Sequence, residues 1–315
     1  MFATKPYPFI MKNERHLWGI DLGGTKIEGI VIGAATGNIR IRERIPTEAA
    51  NGYEHILNQI AKLIQLLKEK TGLTPDAIGF STPGTIDPST QLMKNSNTTC
   101  LNDKPFHTDL KNKLGTEVKL ANDANCFALA EANLGVVARK YPDAQVVFGI
   151  IMGTGVGGGV VVNGRVISGK HGIGGEWGHN VLEENGASCY CGKKGCNETV
   201  FAGPALEKHY ASLSGETRKL KEIVERYRVG NDKHATATMQ RLFSSFGKAV
   251  HYVINLLDPD VVIIGGGVGN IDELYTEGKK ELENYIFNNR KVETTFLKPE
   301  LGDSAGVFGA AELVR

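Results

Sequence analysis

Two widely separated stretches of this chain carry the same local pattern. Ile20-Asp21-Leu22 runs into Gly23-Gly24-Thr25 and then into the β-branched run 27–32; the apolar run 146–152 leads into Gly153-Thr154-Gly155 and then into a second apolar run at 159–162. Each reads as strand, glycine–threonine turn, strand. A pattern that restarts in this way points to a duplicated α/β architecture with a cleft between its halves. The 315 residues leave room for two domains of ordinary size. A hydrophobic fraction of 41% against 23% charged residues supplies a core for each.

The remaining periodicities fill in the halves. Residues 39–45 alternate apolar with charged side chains, the mark of a half-buried strand. Residues 52–71 place Ile56, Ile60, Leu63, Ile64 and Leu67 at helical spacing. A short strand at 77–81 ends at Pro83-Gly84, and another at 118–121 ends at Asn122-Asp123, where a helix with Phe127, Leu129, Ala130 and Leu134 follows. A long helix spans 236–257, closed by Pro259, and the strand 261–264 enters Gly265-Gly266-Gly267. The segment 304–314 reads as a capped terminal helix. The first ten residues, with Pro6 and Pro8, read as poorly structured and as an appended or alternative start before Met11.

Charge and hydropathy narrow the partners. Thirty-six Lys and Arg against 35 Asp and Glu give a net charge of +1, and no cluster of basic residues stands out, which argues against a nucleic-acid partner. No apolar run approaches the ~18 residues that a membrane span requires, and the first residues hold no uninterrupted apolar core of a leader. The expectation is a cytoplasmic protein with small-molecule substrates.

Glycine, at 39 residues, is over-represented and concentrated in turns, as expected where backbone approaches a ligand. No G-x-x-x-x-G-K-[S/T] run occurs, and the first two turns lead into strands rather than opening a helix as a dinucleotide fingerprint would. A hairpin tip can still cradle phosphate through free N–H groups and a threonine hydroxyl. Gly23, Gly24, Thr25 and Lys26, with Gly153, Thr154 and Gly155, are therefore candidate ATP contacts, and Gly265, Gly266 and Gly267 a candidate adenosine platform. Asp21 stands beside the first tip, where a carboxylate can hold Mg²⁺ through water. An ordinary tight hairpin remains the alternative for either tip taken singly.

A second cluster has a different chemistry. His179, Cys189, Cys191 and Cys196 form an N/S₃ set suited to a closed tetrahedral Zn²⁺ site, with Gly192 and Gly195 letting the knuckle fold back. A closed site is structural, and here it would fix Glu176 and Glu198 for a polyhydroxylated substrate. Asp123, at a strand–helix joint, is the candidate general base for phosphoryl transfer. The same spacing suits a helix N-cap equally well, and sequence leaves the two readings tied.

Asp21-Leu22-Gly23-Gly24-Thr25-Lys26, Pro83-Gly84, Asn122-Asp123-Ala124-Asn125, Gly153-Thr154-Gly155, Glu176-x-x-His179 and Cys189-x-Cys191-G-x-x-G-Cys196-x-Glu198 together resemble the ROK family of sugar kinases and repressors, over residues 17–315. Lys94-Asn95-Ser96-Asn97, Leu101-Asn102, Leu257-Asp258-Pro259-Asp260 and Gly302-Asp303-Ser304-Ala305-Gly306 look most similar to bacterial fructokinase and mannokinase members. The resemblance implies a duplicated actin/hexokinase-like, ribonuclease H-like fold. The N-terminal domain would span 11–122, completed by a helix at about 303–315, and a C-terminal domain at 123–302 would carry the zinc motif. It implies a homodimer and ATP-dependent phosphorylation of a hexose with Mg²⁺. Asp123 would be the catalytic base, with Gly84, Asn97, Asn122, Asp123, Glu176, His179 and Glu198 around the sugar and His179 serving sugar and zinc through its two ring nitrogens. Acceptors of the N-acetylglucosamine or N-acetylmannosamine type are the alternative. A repressor is disfavoured, since only 20 residues precede Asp21, and a non-catalytic sugar sensor is disfavoured by the intact Asp123 and glycine turns.

Overall fold

A computed structural model describes residues 14–289 and 291–315; the reading of the first ten residues lies outside them. The first half contains β1 (His16–Leu22), β2 (Lys26–Gly33), β3 (Ile39–Pro46), α1 (Tyr53–Thr71), β4 (Ala77–Thr82), a small hairpin of β5 (Thr85–Ile86) and β6 (Met93–Lys94), α2 (Phe106–Leu114) and β7 (Glu117–Asn122). The second contains α3 (Asp123–Asn133), α4 (Val136–Lys140), β8 (Val146–Met152), β9 (Val156–Val162), β10 (Arg165–Val166), α5 (Asn197–Phe201), α6 (Gly203–Ser214), α7 (Leu220–Val229), α8 (Lys233–Leu257), β11 (Val261–Gly265), α9 (Gly266–Gly269), α10 (Glu277–Leu282), β12 (Thr295–Leu297) and α11 (Ala305–Glu312).

The duplication is complete at the level of topology. One sheet is ordered β3-β2-β1-β4-β7 and the other β10-β9-β8-β11-β12. In both, three antiparallel strands are followed by two that join in parallel. Apolar runs such as Ile20 and Ile30 on one sheet and Ile150 and Ile264 on the other are completely buried, as central strands covered on both faces require.

Two helices lie between the sheets. A Cβ on Gly19 or Gly79 would come within 2.4 and 1.8 Å of the α11 backbone, so α11 rests directly on β1 and β4. The counterpart α3 rests on β8 and β9, where a Cβ on Gly149 would meet Ala128 at 2.6 Å and one on Gly159 the Ala124 carbonyl at 2.6 Å. The two helices cross at Gly309, whose missing side chain admits the Cys126 carbonyl. Cys126 itself is fully buried.

Local chemistry adjusts several expected boundaries. α8 starts at Lys233, earlier than the apolar periodicity indicates, because Asp232 caps it by accepting from the His234 and Ala235 N–H groups. It ends at Leu257, where Asp258 takes a left-handed conformation (φ 44°) ahead of Pro259. α11 is not capped as the sequence suggests: the Ser304 side chain accepts from Arg42 instead, and Arg42 in turn pairs with the buried Glu28.

Candidate active site

Asp123 stands where β7 becomes α3, at the cleft between the two halves. The N-cap of that helix is Asn122, whose side-chain oxygen accepts from Asn125 N–H at 2.8 Å. The cap role that the sequence offered to Asp123 thus falls one position earlier. Asp123 is the first helical residue, and its carboxylate accepts from Ala124 N–H at 2.8 Å while remaining open to the cleft. Crowding by surrounding protein raises its pKa to about 6, opposed by that N–H and reinforced by the carboxylates of Asp21 and Glu176. Water in the open cleft screens part of this effect.

The walls bring together all seven residues expected around the sugar. Gly84, Asn97, Asn122, Asp123, Glu176, His179 and Glu198 line one cleft of about 490 Å³, and Gly153, Thr154 and Gly155 line its other side. Asn122 donates from its amide to Glu176 Oε1 at 3.1 Å, so the residue that caps α3 also orients a carboxylate. Burial raises the pKa of Glu176, with the Glu198 charge adding to it, while His179 and Asn122 act in the opposite sense. Glu198 Oε2 accepts from Val156 N–H at 3.0 Å. The sequence reading missed Asn95 and Tyr190, which also line the cleft. Tyr190 lay hidden between two metal-type cysteines, and its hydroxyl is 2.9 Å from His179 Nε2. In this state the second ring nitrogen of His179 is engaged by Tyr190, whereas the sequence reading gave it to the sugar.

Asp21, Gly23, Gly24, Thr25, Lys26 and the three glycines 265–267 do not line this cleft. Asp21, next to last in β1, lies close enough to Asp123 to affect its ionisation, and burial raises its own pKa. Gly306 of α11 packs over its carboxylate. The Gly23 turn is closed by Gly23 N–H donating to the Lys26 carbonyl at 3.0 Å. Gly266 abuts Met152, the residue before Gly153, so the second and third turns are neighbours.

The space around each glycine separates structural from ligand-facing roles. Gly23, Gly155, Gly265 and Gly266 are held to glycine by the protein: a Cβ would come within 3.0 Å of Lys26, or 2.5, 2.8 and 2.3 Å of Glu198, Phe127 and Met152. Gly84 is the same, with Lys94 at 2.6 Å, so its place in the cleft has a packing cause as well. Gly153 and Gly267 have nothing within 4 Å, and Gly24 only the Thr98 hydroxyl at 3.8 Å. None of these three has a positive φ. Among the described glycines without positive φ, only these three have no protein atom within 3.4 Å, and one sits in each turn. A missing side chain that the protein does not require leaves room for another molecule.

The metal-type residues also converge. Donor atoms of His179, Cys189, Cys191 and Cys196 all lie within 4.8 Å of one another. His179 Nδ1 is 3.5 Å from Cys189 Sγ, and the Cys191 and Cys196 sulfurs are 3.6 Å apart. Tetrahedral bonds of ~2.3 Å to sulfur separate ligands by roughly 3.8 Å, so the set fits Zn²⁺. Gly192 and Gly195 adopt φ of 88° and 66°, as the folded-back knuckle requires.

The model that describes the ROK family matches residues 17–315. The chain belongs to the ROK family. Its ROK fold is the duplicated actin/hexokinase-like one: the ROK hexokinase of Thermus thermophilus matches with a TM-score of 0.82 at 31% identity, covering 95% of this chain and 97% of that one. A ROK glucokinase from Streptomyces griseus, solved with glucose and AMPPNP, matches at 0.73 and 26% identity, covering 95% and 99%. The N-acetyl-D-glucosamine kinase of Haemophilus influenzae is 36% identical over 308 residues, 94% of this ROK chain and 98% of the relative. No described helix is long and apolar enough to cross a membrane.

Proposed function

We propose that this ROK protein, an ATP-dependent sugar kinase, transfers the γ-phosphate of ATP to the 6-hydroxyl of an N-acetylated hexose, with N-acetylglucosamine the preferred acceptor. The observation that carries the nucleotide half is the set of three unfilled glycine positions, Gly24, Gly153 and Gly267, one in each glycine turn, with Gly153 lining the cleft. The acceptor follows from relatives named N-acetyl-D-glucosamine kinase, among them ones at 33% to 36% identity that span nearly the whole chain. The fructose or mannose expectation accordingly gives way to its stated alternative.

The chemistry proceeds from the residues in place. Glu176, held by Asn122, fixes the sugar ring. Asp123, ionised above pH ~6, takes the proton of the 6-hydroxyl as its oxygen attacks the γ-phosphorus. The bond from γ-phosphorus to the bridging oxygen breaks and ADP leaves. Asp21 is suited to hold a hydrated Mg²⁺, which would neutralise charge on the phosphates. His179, Cys189, Cys191 and Cys196 would hold Zn²⁺ as a structural ion. Free thiols and the use of ATP support a cytoplasmic location.

A coupled assay over glucose, mannose, fructose, N-acetylglucosamine and N-acetylmannosamine tests the reading. The highest kcat/KM is expected for N-acetylglucosamine. A fructose or mannose preference would replace the acceptor. Turnover with none of the five would overturn the kinase and favour a sugar-sensing regulator. We also assign the homodimer to the surface near the end of α8, where Leu256 is 81% and Phe287 97% exposed and Phe287 N–H donates to Asn255 at 3.1 Å. Light scattering should give a dimer that Leu256→Glu dissociates.

A further inference from the structure

One eight-residue segment, 196–203, touches three parts of the site. It begins at Cys196 of the metal-type set. Asn197 is buried; its amide donates to the Trp177 carbonyl at 2.8 Å, and its backbone N–H to the Asn180 carbonyl at 2.9 Å, which ties the segment to the turn that carries Glu176 and His179. Glu198 Oε2 accepts from Val156 N–H at 3.0 Å, just past Gly155. Gly203 N–H donates to the Gly153 carbonyl at 2.8 Å. The Gly153-Thr154-Gly155 turn is thus held at both ends by one segment, and that segment also holds the sugar-side turn.

The contact at Glu198 explains a sequence feature. Gly155 has no positive φ, yet a Cβ there would strike Glu198 Oε2 at 2.5 Å. The missing side chain makes room for the Glu198 carboxylate. Glu198 Oε1 makes no hydrogen bond among the described residues and belongs to a side chain that lines the cleft. One carboxylate can therefore grip the phosphate turn with one oxygen and leave the other for the acceptor.

We propose that Glu198 is a positioning residue for the nucleotide: it fixes the Gly153–Val156 turn, and segment 196–203 makes the geometry of that turn depend on the sugar-side turn and the metal-type knuckle. This rests on the reading of Gly153-Thr154-Gly155 as a nucleotide turn. A contact to sugar alone would make Glu198 matter for the acceptor and not for ATP. A grip on Val156 makes it matter for ATP, through an oxygen that an amide can supply equally well.

Substitution with full steady-state kinetics on the intact protein separates these cases. Glu198→Ala should raise the KM for ATP about tenfold, the usual scale for losing a hydrogen bond to a charged group. Glu198→Gln keeps an acceptor for Val156 N–H and should restore the KM for ATP to within about twofold of the parent, even where kcat and the KM for sugar change. Gly153→Val is the control for the underlying reading, because a Cβ there has no protein atom within 4 Å and the added side chain would intrude on a phosphate bound at the turn. If Gly153→Val leaves the KM for ATP unchanged, the nucleotide turn is wrong and the positioning role falls with it. If Gly153→Val raises that KM and Glu198→Ala does not, only the positioning role is overturned. If Glu198→Ala fails to fold, a Glu198→Gln protein whose KM for ATP has risen tenfold overturns it equally.

Discussion

The two glycine–threonine turns share a sequence pattern and a place in their sheets, yet they are held differently. The Gly23 turn is closed by its own hairpin, aided by Thr47, whose hydroxyl donates to the Gly23 carbonyl at 2.6 Å. Gly24, Thr25 and Lys26 on it are exposed. The Gly153 turn is clamped from outside at both ends and lines the cleft. Duplication supplied one backbone device twice. Its surroundings tied one copy, beside the carboxylate Asp21, to Thr47 at the end of the neighbouring strand, whose hydroxyl and N–H donate to the Gly23 and Thr25 carbonyls, and made the other part of a network that reaches the sugar side.

The largest effect tests what lies between the turns. Asp123→Asn should lower kcat by ~10²–10⁴-fold, the range for loss of a general base. Asn122 and not Asp123 caps α3, so the substitution leaves the cap intact. Stability should not fall, and above pH 6 it should rise. The folded-state pKa of Asp123 is raised, so the folded form gains from protonation below the ordinary carboxylate pKa and loses that gain as pH climbs through about 6. A melting-temperature advantage of Asp123→Asn at pH 8 that disappears below pH 4 would confirm the sign; the reverse would refute it. The parent kcat/KM should fall tenfold per pH unit below about 6.

Next come the turns themselves. A Cβ at Gly153 has no protein atom within 4 Å and one at Gly24 only the Thr98 hydroxyl at 3.8 Å, so neither Gly153→Val nor Gly24→Val should unfold the chain. Both should raise the KM for ATP, Gly153→Val by about tenfold or more and Gly24→Val by less, since Gly153 lines the cleft and Gly24 lies on an exposed tip. Equal effects would erase the distinction between the cleft-lining turn and the exposed one. Steady-state kinetics and thermal melts of the two variants decide it.

The smallest effect is the sharpest. Elemental analysis should find one Zn²⁺ per chain, and Cys191→Ser should lower the melting temperature. After chelation, amide exchange should quicken at Val156, whose N–H is held by Glu198, and stay unchanged at Gly23, whose N–H is held within its own hairpin. Matching changes at both turns would mean that the metal set supports the whole fold and not one turn.

Much of this was legible in the sequence for physical reasons. Turns that lack side chains, and a histidine with three cysteines, are rare compositions with few alternative uses. Sequence could not separate glycines kept for ligands from those kept for packing: Gly19 and Gly149 sit in apolar strands because helices press on them. It could not place the cap at Asn122 rather than Asp123, because both residue types cap well. Helices α6 and α7 and the role of Tyr190 depend on contacts between distant segments, which local spacing does not carry. Glu131 is similar: fully buried, it accepts backbone N–H groups from Val136, Glu300 and Leu301, and no nearby motif announces it.

The crossing of α3 and α11 has a consequence in time. During synthesis β1 and β4 emerge early, but the shallow tracks at Gly19 and Gly79 are shaped for α11, which follows every other described element in the chain. The second sheet receives α3 well before that, because α3 precedes its strands. The first-made half must therefore wait, its central strands bare on one face, while the later half can close over its own helix. Such a long-range final step is slow to find and leaves apolar strand surface open meanwhile. Chains halted before Ala305 should be those that chaperones retain, with the later half already protected and the earlier half not.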